Sequence, residues 1–154
     1  PSMTAPTAVL RSYMSFPKPE DVLPHRNPFL FLTEVTDLEL GEWAEALWIL
    51  NGDEYFFKGH FPGRPTLPGV LMCESIAQLG AYLVLQDQRF AGKLPLFGGL
   101  NKARFRRQVL PGETLQLRIE VGRLSGKAGK ATGEARVNGD LACATELMFV
   151  VVDA

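Results

Sequence analysis

Two side chains, His60 and Glu74, have the types and setting for acid–base chemistry. The chain holds two histidines, His25 and His60, so imidazole chemistry has two candidates. A neutral imidazole can take or return a proton near pH 7. Glu74 is the one acidic side chain within residues 65–86, PTLPGVLMCESIAQLGAYLVLQ. A carboxylate in so apolar a stretch is costly unless paired or protonated. It either lies on a thin wet edge or beside a buried donor, or it is a general acid kept protonated by burial.

His60 stands in Gly59-His60-Phe61-Pro62-Gly63-Arg64-Pro65. Pro62, Gly63 and Pro65 fix a tight loop, and Gly59 and Phe61 favour a shaped, partly apolar pocket around the ring. The ordinary reading is a core histidine with both nitrogens satisfied. A constrained histidine, then a helix start, then a lone carboxylate reads instead as an acid–base constellation. Pro68-Gly69-Val70 opens the helix, where the first N–H groups have no internal partner. The amides at Gly69 and Val70 can hold a carbonyl oxygen gaining charge; the plainer reading is a helix start only. His60 and Glu74 are 14 residues apart. That spacing does not decide whether one chain or two bring them to one pocket. His25 is read as scaffold.

The elements that must position these groups follow from periodicity. Residues 114–124 alternate Leu115, Leu117, Ile119 and Val121 with Gln116, Arg118 and Glu120, which predicts a half-buried strand. Residues 130–137 and 141–152 read as strands joined by an Asn138-Gly139 hairpin turn. Residues 29–38 and 43–50 read as an earlier hairpin, and 94–105 as a further strand. Within residues 65–86 a helix that opens at Pro68 is apolar nearly all round, so it must be buried on nearly all sides. About six strands, mostly antiparallel, and one central helix pack most economically as a curved sheet wrapped around that helix. This is an α+β fold of hot-dog type. Residues 1–20, with four prolines, read as a loose arm, and 21–154 as a single domain.

The totals exclude several classes. With 154 residues, 46% hydrophobic and 21% charged, the chain is neither disordered nor a disulfide scaffold. A net charge of −1 argues against a general nucleic-acid binder. Cys73 and Cys143 lie in apolar runs and read as buried small hydrophobes. Scattered as they are, two cysteines and two histidines make no metal cluster. Prolines, a glutamate and two glutamines interrupt the helix, so no membrane span is expected. The first ten residues carry no basic stretch ahead of their apolar run, so no secretory signal is expected and the cytoplasm is the default.

The sequence His60-Phe61-Pro62-Gly63-Arg64-Pro65-Thr66-Leu67-Pro68-Gly69-Val70-Leu71, followed by Glu74 and Ala77-Gln78, resembles the signature of the 3-hydroxyacyl-acyl carrier protein dehydratases of fatty-acid synthesis (the FabZ/FabA-like hot-dog dehydratases). Leu23-Pro24-His25-Arg26-Asn27-Pro28-Phe29 resembles that family's opening segment. Asn101-Lys102-Ala103-Arg104-Phe105-Arg106, with Val109, Pro111, Gly112 and Glu113, resembles its later one. The resemblance implies dehydration of (3R)-hydroxyacyl thioesters to trans-2-enoyl thioesters, in fatty-acid or related polyketide-type synthesis. It implies a homodimer, alone or as a trimer of dimers, in which His60 and Glu74 meet from opposite subunits and Gly69 supplies an oxyanion amide. No cofactor is implied beyond the phosphopantetheine arm that carries the substrate. Phe61, Ile76, Leu96 and Phe97 are the expected lining of an acyl tunnel. Leu67, Asn101 and Leu96 depart from the family's usual Met, Asp and, in some members, Tyr, which bears on chain length and gating. Lys102, Arg104, Arg106 and Arg107 form either a solvated strand end or a docking patch for an acidic carrier protein.

Two rivals remain on the same fold. One is a thioesterase or hydratase acting on coenzyme A esters. The other is a non-catalytic acyl-binding module, against which the presence of both His60 and Glu74 weighs.

Overall fold

The structure is a computed structural model, and it describes residues 15–154. Residues 1–14 of the expected arm lie outside the described residues. The next few are packed down. Pro17 accepts a hydrogen bond from the Tyr82 hydroxyl at 2.7 Å, and Phe16 packs against the core. A single-turn helix α1 (Pro19–Val22) follows, with Pro19 buried.

Six strands form one antiparallel sheet: β1 (Glu34–Glu39), β2 (Trp43–Ile49), β3 (Lys93–Phe105), β4 (Thr114–Leu124), β5 (Ala128–Val137) and β6 (Asp140–Asp153), in the order β1-β2-β4-β5-β6-β3. The alternation read in residues 114–124 is realised. Leu115, Leu117 and Ile119 are buried and pair across to Trp48, Ala46 and Ala44, which are buried as well. Asn138 and Gly139 both adopt positive φ, as a type I′ hairpin turn requires.

The sheet wraps helix α2 (Gly69–Leu85), which is about 26 Å long. Ile76, Leu79, Tyr82 and Leu83 are essentially inaccessible, as expected for a helix with almost no polar face. Close approach needs room on the sheet: a Cβ at Gly133 would lie 2.2 Å from Ile76 Cγ2. Cys73 on the helix and Cys143 on β6 are buried and unbridged, with their sulfurs 4.0 Å apart.

One element is shorter than its hydrophobic pattern suggests. Residues 29–33 carry the apolar run of a strand, yet β1 begins only at Glu34. The backbone of residues 29–31 bonds to helix side chains instead. Phe31 N–H donates to Gln78 Oε1, Phe31 C=O accepts from Ser75 Oγ, and Phe29 C=O accepts from Gln78 Nε2. A buried backbone needs partners, and here α2 supplies them. Phe29 and Phe31 then join Trp48 and Phe56 in an aromatic cluster.

Candidate active site

The His60 loop is built from its own backbone. Phe61 N–H donates to Arg64 C=O, Arg64 N–H returns a bond to Phe61 C=O, and Thr66 N–H donates to His60 C=O. This fold-back sets the Thr66 carbonyl 2.9 Å from His60 Nδ1. A carbonyl only accepts, so Nδ1 carries the hydrogen. In the neutral ring the lone pair is then on Nε2, available as a base. The Phe61 ring stacks on the imidazole with centroids 4.2 Å apart.

The helix start follows directly. Leu67 N–H is tied to Val109 C=O, and Pro68 stands at the N-cap position with no side-chain cap. Proline has no side-chain oxygen, so it cannot satisfy the first-turn amides at Gly69 and Val70. Gly69 is also a steric requirement. A Cβ there would meet the Phe105 ring at 2.9 Å.

Glu74 is half-buried, one turn further along. Its Oε1 accepts from Gln78 Nε2 at 3.2 Å. Gln78 is 1% exposed and spends its amide on three partners: Glu74, Phe29 C=O and Phe31 N–H. His25 Nε2 lies 3.8 Å from the same Glu74 oxygen, while His25 Nδ1 is buried with no hydrogen-bond partner among the described residues. Glu74 therefore does sit beside a buried donor, one of the arrangements weighed from its sequence setting.

His25 and Gln78 thus surround Glu74, although sequence reasoning assigned His25 to the scaffold and Gln78 no role. For Gln78 a signal existed, since it is four residues after Glu74 and so on the same helix face. For His25 there was none, because only the fold brings the segment before β1 onto the helix.

Among the described residues His60 and Glu74 share neither a hydrogen bond nor an ion pair. Of the expected tunnel residues, Leu96 and Phe97 line a small cavity of about 30 Å³ with Ala77, Gly80 and Ala81 of α2. Ile76 is buried against Gly133, and Phe61 is at the His60 loop, so the four are not brought together within one chain. The basic residues split as well. Lys102 is 3.6 Å from Glu146; with Arg104 it lines a groove on the sheet. Arg106 and Arg107 both lie by the helix start with Val70 and Phe105. Arg107 is half-buried and bonded to Glu113 at 2.9 Å. No cluster of three or more potential metal ligands occurs among the described residues. No helix there is long and apolar enough to cross a membrane.

The chain has relatives among known proteins. The chain is 42% identical over 142 residues to the 3-hydroxyacyl-acyl-carrier-protein dehydratase FabZ of Clostridium botulinum, covering 92% of this chain and 99% of that one. The fold is similar to the dehydratase heterocomplex ApeI:P of Xenorhabdus doucetiae (TM-score 0.78, 17% identity, 90% of this chain and 93% of that one). It is also similar to a putative thioesterase of Ralstonia eutropha (TM-score 0.60, 18% identity, 75% and 82%). Residues 23–146, which hold the His60 loop, the helix start and Glu74 with both its neighbours, match the family described as FabA-like domain, and the chain belongs to that family.

Proposed function

We propose that the protein dehydrates (3R)-3-hydroxyacyl thioesters, carried on an acyl carrier protein, to trans-2-enoyl thioesters. His60 carries this reading: its Nδ1–H is committed to the Thr66 carbonyl, so Nε2 is the base. Nε2 removes a proton from C2. The thioester oxygen gains charge and is held by the amides at Gly69 and Val70; such donors are typically worth about 3–4 kcal/mol. Glu74 gives a proton to the C3 hydroxyl, the C3–O bond breaks, and water leaves. The electron pair from C2–H becomes the new double bond. The substrate hangs from a phosphopantetheine arm, and no other cofactor enters these steps. A cytoplasmic setting goes with this reading.

The site is shared between two copies. What supports this is that His60 and Glu74 have separate partners within one chain, and that β3 is an edge strand with Leu96, Phe97 and Leu100 each more than 40% exposed. Apolar side chains on an unpaired edge suit a second copy. The homodimer can associate further into a trimer of dimers. Arg104 and Arg106, with no acidic partner among the described residues, are the strongest candidates for meeting an acidic carrier protein.

The test is incubation with a 3-hydroxyacyl carrier-protein thioester. The expected result is absorbance of an enoyl thioester with no free thiol. Thiol release would make the protein a thioesterase, and a bound acyl chain without turnover would make it a binding module.

A further inference from the structure

We infer that Gln78 is a positioning residue that decides which oxygen of Glu74 works on the substrate. This role rests on the dehydratase reading above. The orientation of the Gln78 amide is fixed by its neighbours. Phe31 N–H can only donate, so the group 2.8 Å from it is the amide oxygen. Phe29 C=O can only accept, so the group 3.0 Å from it is the amide nitrogen. The second hydrogen of that nitrogen is directed at Glu74 Oε1, 3.2 Å away. An NH₂ group cannot accept, so this carboxyl oxygen is an acceptor in either protonation state. The same oxygen faces His25 Nε2. The proton that Glu74 delivers therefore belongs to Oε2, which reaches the C3 hydroxyl while Gln78 holds Oε1.

Gln78 is one turn from Glu74 and 1% exposed, so it acts through Glu74. Its other two bonds anchor residues 29–31. A purely structural role would harm every reaction at the site equally, whereas a positioning role would harm only the step that uses the Glu74 proton. A substrate pair separates them: a 3-hydroxyacyl thioester, whose hydroxyl must be protonated to leave, and the 3-chloroacyl analogue, whose chloride leaves as the anion. Both need His60 to remove the C2 proton.

For Gln78→Met, kcat on the hydroxy substrate should fall about 100-fold, the scale of a misplaced catalytic group. KM should stay within about twofold, and the chloro analogue should lose less than about threefold. Glu74→Gln should show the same selectivity with a larger loss. Equal losses on both substrates, or none on either, would overturn the assignment. If Gln78→Met does not fold, Gln78→Ala gives the same readout, because it removes the amide donor to Glu74 without adding a charge beside it. Wild-type protein inactive on the hydroxy substrate would instead sink the dehydratase reading itself, so the two failures are distinguishable.

Discussion

His60 is held by a carbonyl six residues away in its own loop, whereas Glu74 is held through Gln78 by backbone 47 and 49 residues from that glutamine. The base is thus set by local turn chemistry on an exposed arch, where Phe61, stacked on the ring, is 52% exposed. The acid is set by a helix buried in the sheet, through a side chain that also anchors another segment. Changes in the loop should therefore separate activity from stability cleanly. Changes around the helix should tend to mix the two.

The largest expected effects test whether the two halves form one site. His60→Ala and Glu74→Gln should each lower kcat by about 10²–10⁴-fold, the range for losing a general acid or base, with circular dichroism unchanged. Mixing the two inactive variants and allowing subunits to exchange should restore activity. In a mixed dimer one site keeps both native residues, so random exchange should return about a quarter of wild-type turnover. No recovery despite demonstrated exchange would place both groups in a single chain.

Next comes the helix start, where loop and helix meet. Gly69→Ala would push a methyl group into the Phe105 ring. The first-turn amides should shift, and kcat should fall about 100-fold. Phe105→Leu in the same chain should recover part of that loss. If Gly69→Ala were as active as wild type, these amides would not be holding the thioester oxygen.

Under the helix the readout changes to stability. Gly133→Ala would place a Cβ 2.2 Å from Ile76. Overpacking of this kind costs about 1–3 kcal/mol, measurable by denaturant unfolding. Phe61→Ala in the loop should cost under about 0.5 kcal/mol, as exposed substitutions usually do. A larger loss from Phe61 than from Gly133 would reverse the contrast between an exposed loop and a buried helix.

This contrast also explains what could be read before the structure. The period of two in residues 114–124, the Asn138-Gly139 turn and the apolar helix are local patterns; the first two formed as read, and the helix formed over Gly69–Leu85 within its apolar segment. His60 was legible because proline and glycine crowd its loop. The pairing of residues 29–31 with Ser75 and Gln78 was not, because their apolar run reads as a strand until the helix is seen to take its backbone bonds. Nothing local to His25 reports that its ring ends 3.8 Å from Glu74.

The smallest effects concern the basic run, where one sequence cluster splits into two physical kinds. Arg107 is half-buried with its guanidinium on Glu113, and Glu113 also accepts from Leu110 N–H to shape the turn before β4. Arg107→Ala should therefore cost about 1 kcal/mol of stability and leave KM for a carrier-bound substrate nearly unchanged. Arg106 is exposed beside the helix start, so Arg106→Ala should leave stability within about 0.5 kcal/mol. If the carrier docks there, the variant should raise KM for carrier-bound substrate a few-fold at low salt and leave it unchanged for a small thioester. The gap should close as salt rises, since exposed charges are screened beyond about 8 Å at physiological ionic strength. The same KM rise for the small thioester would assign Arg106 to the substrate pocket instead of the docking surface.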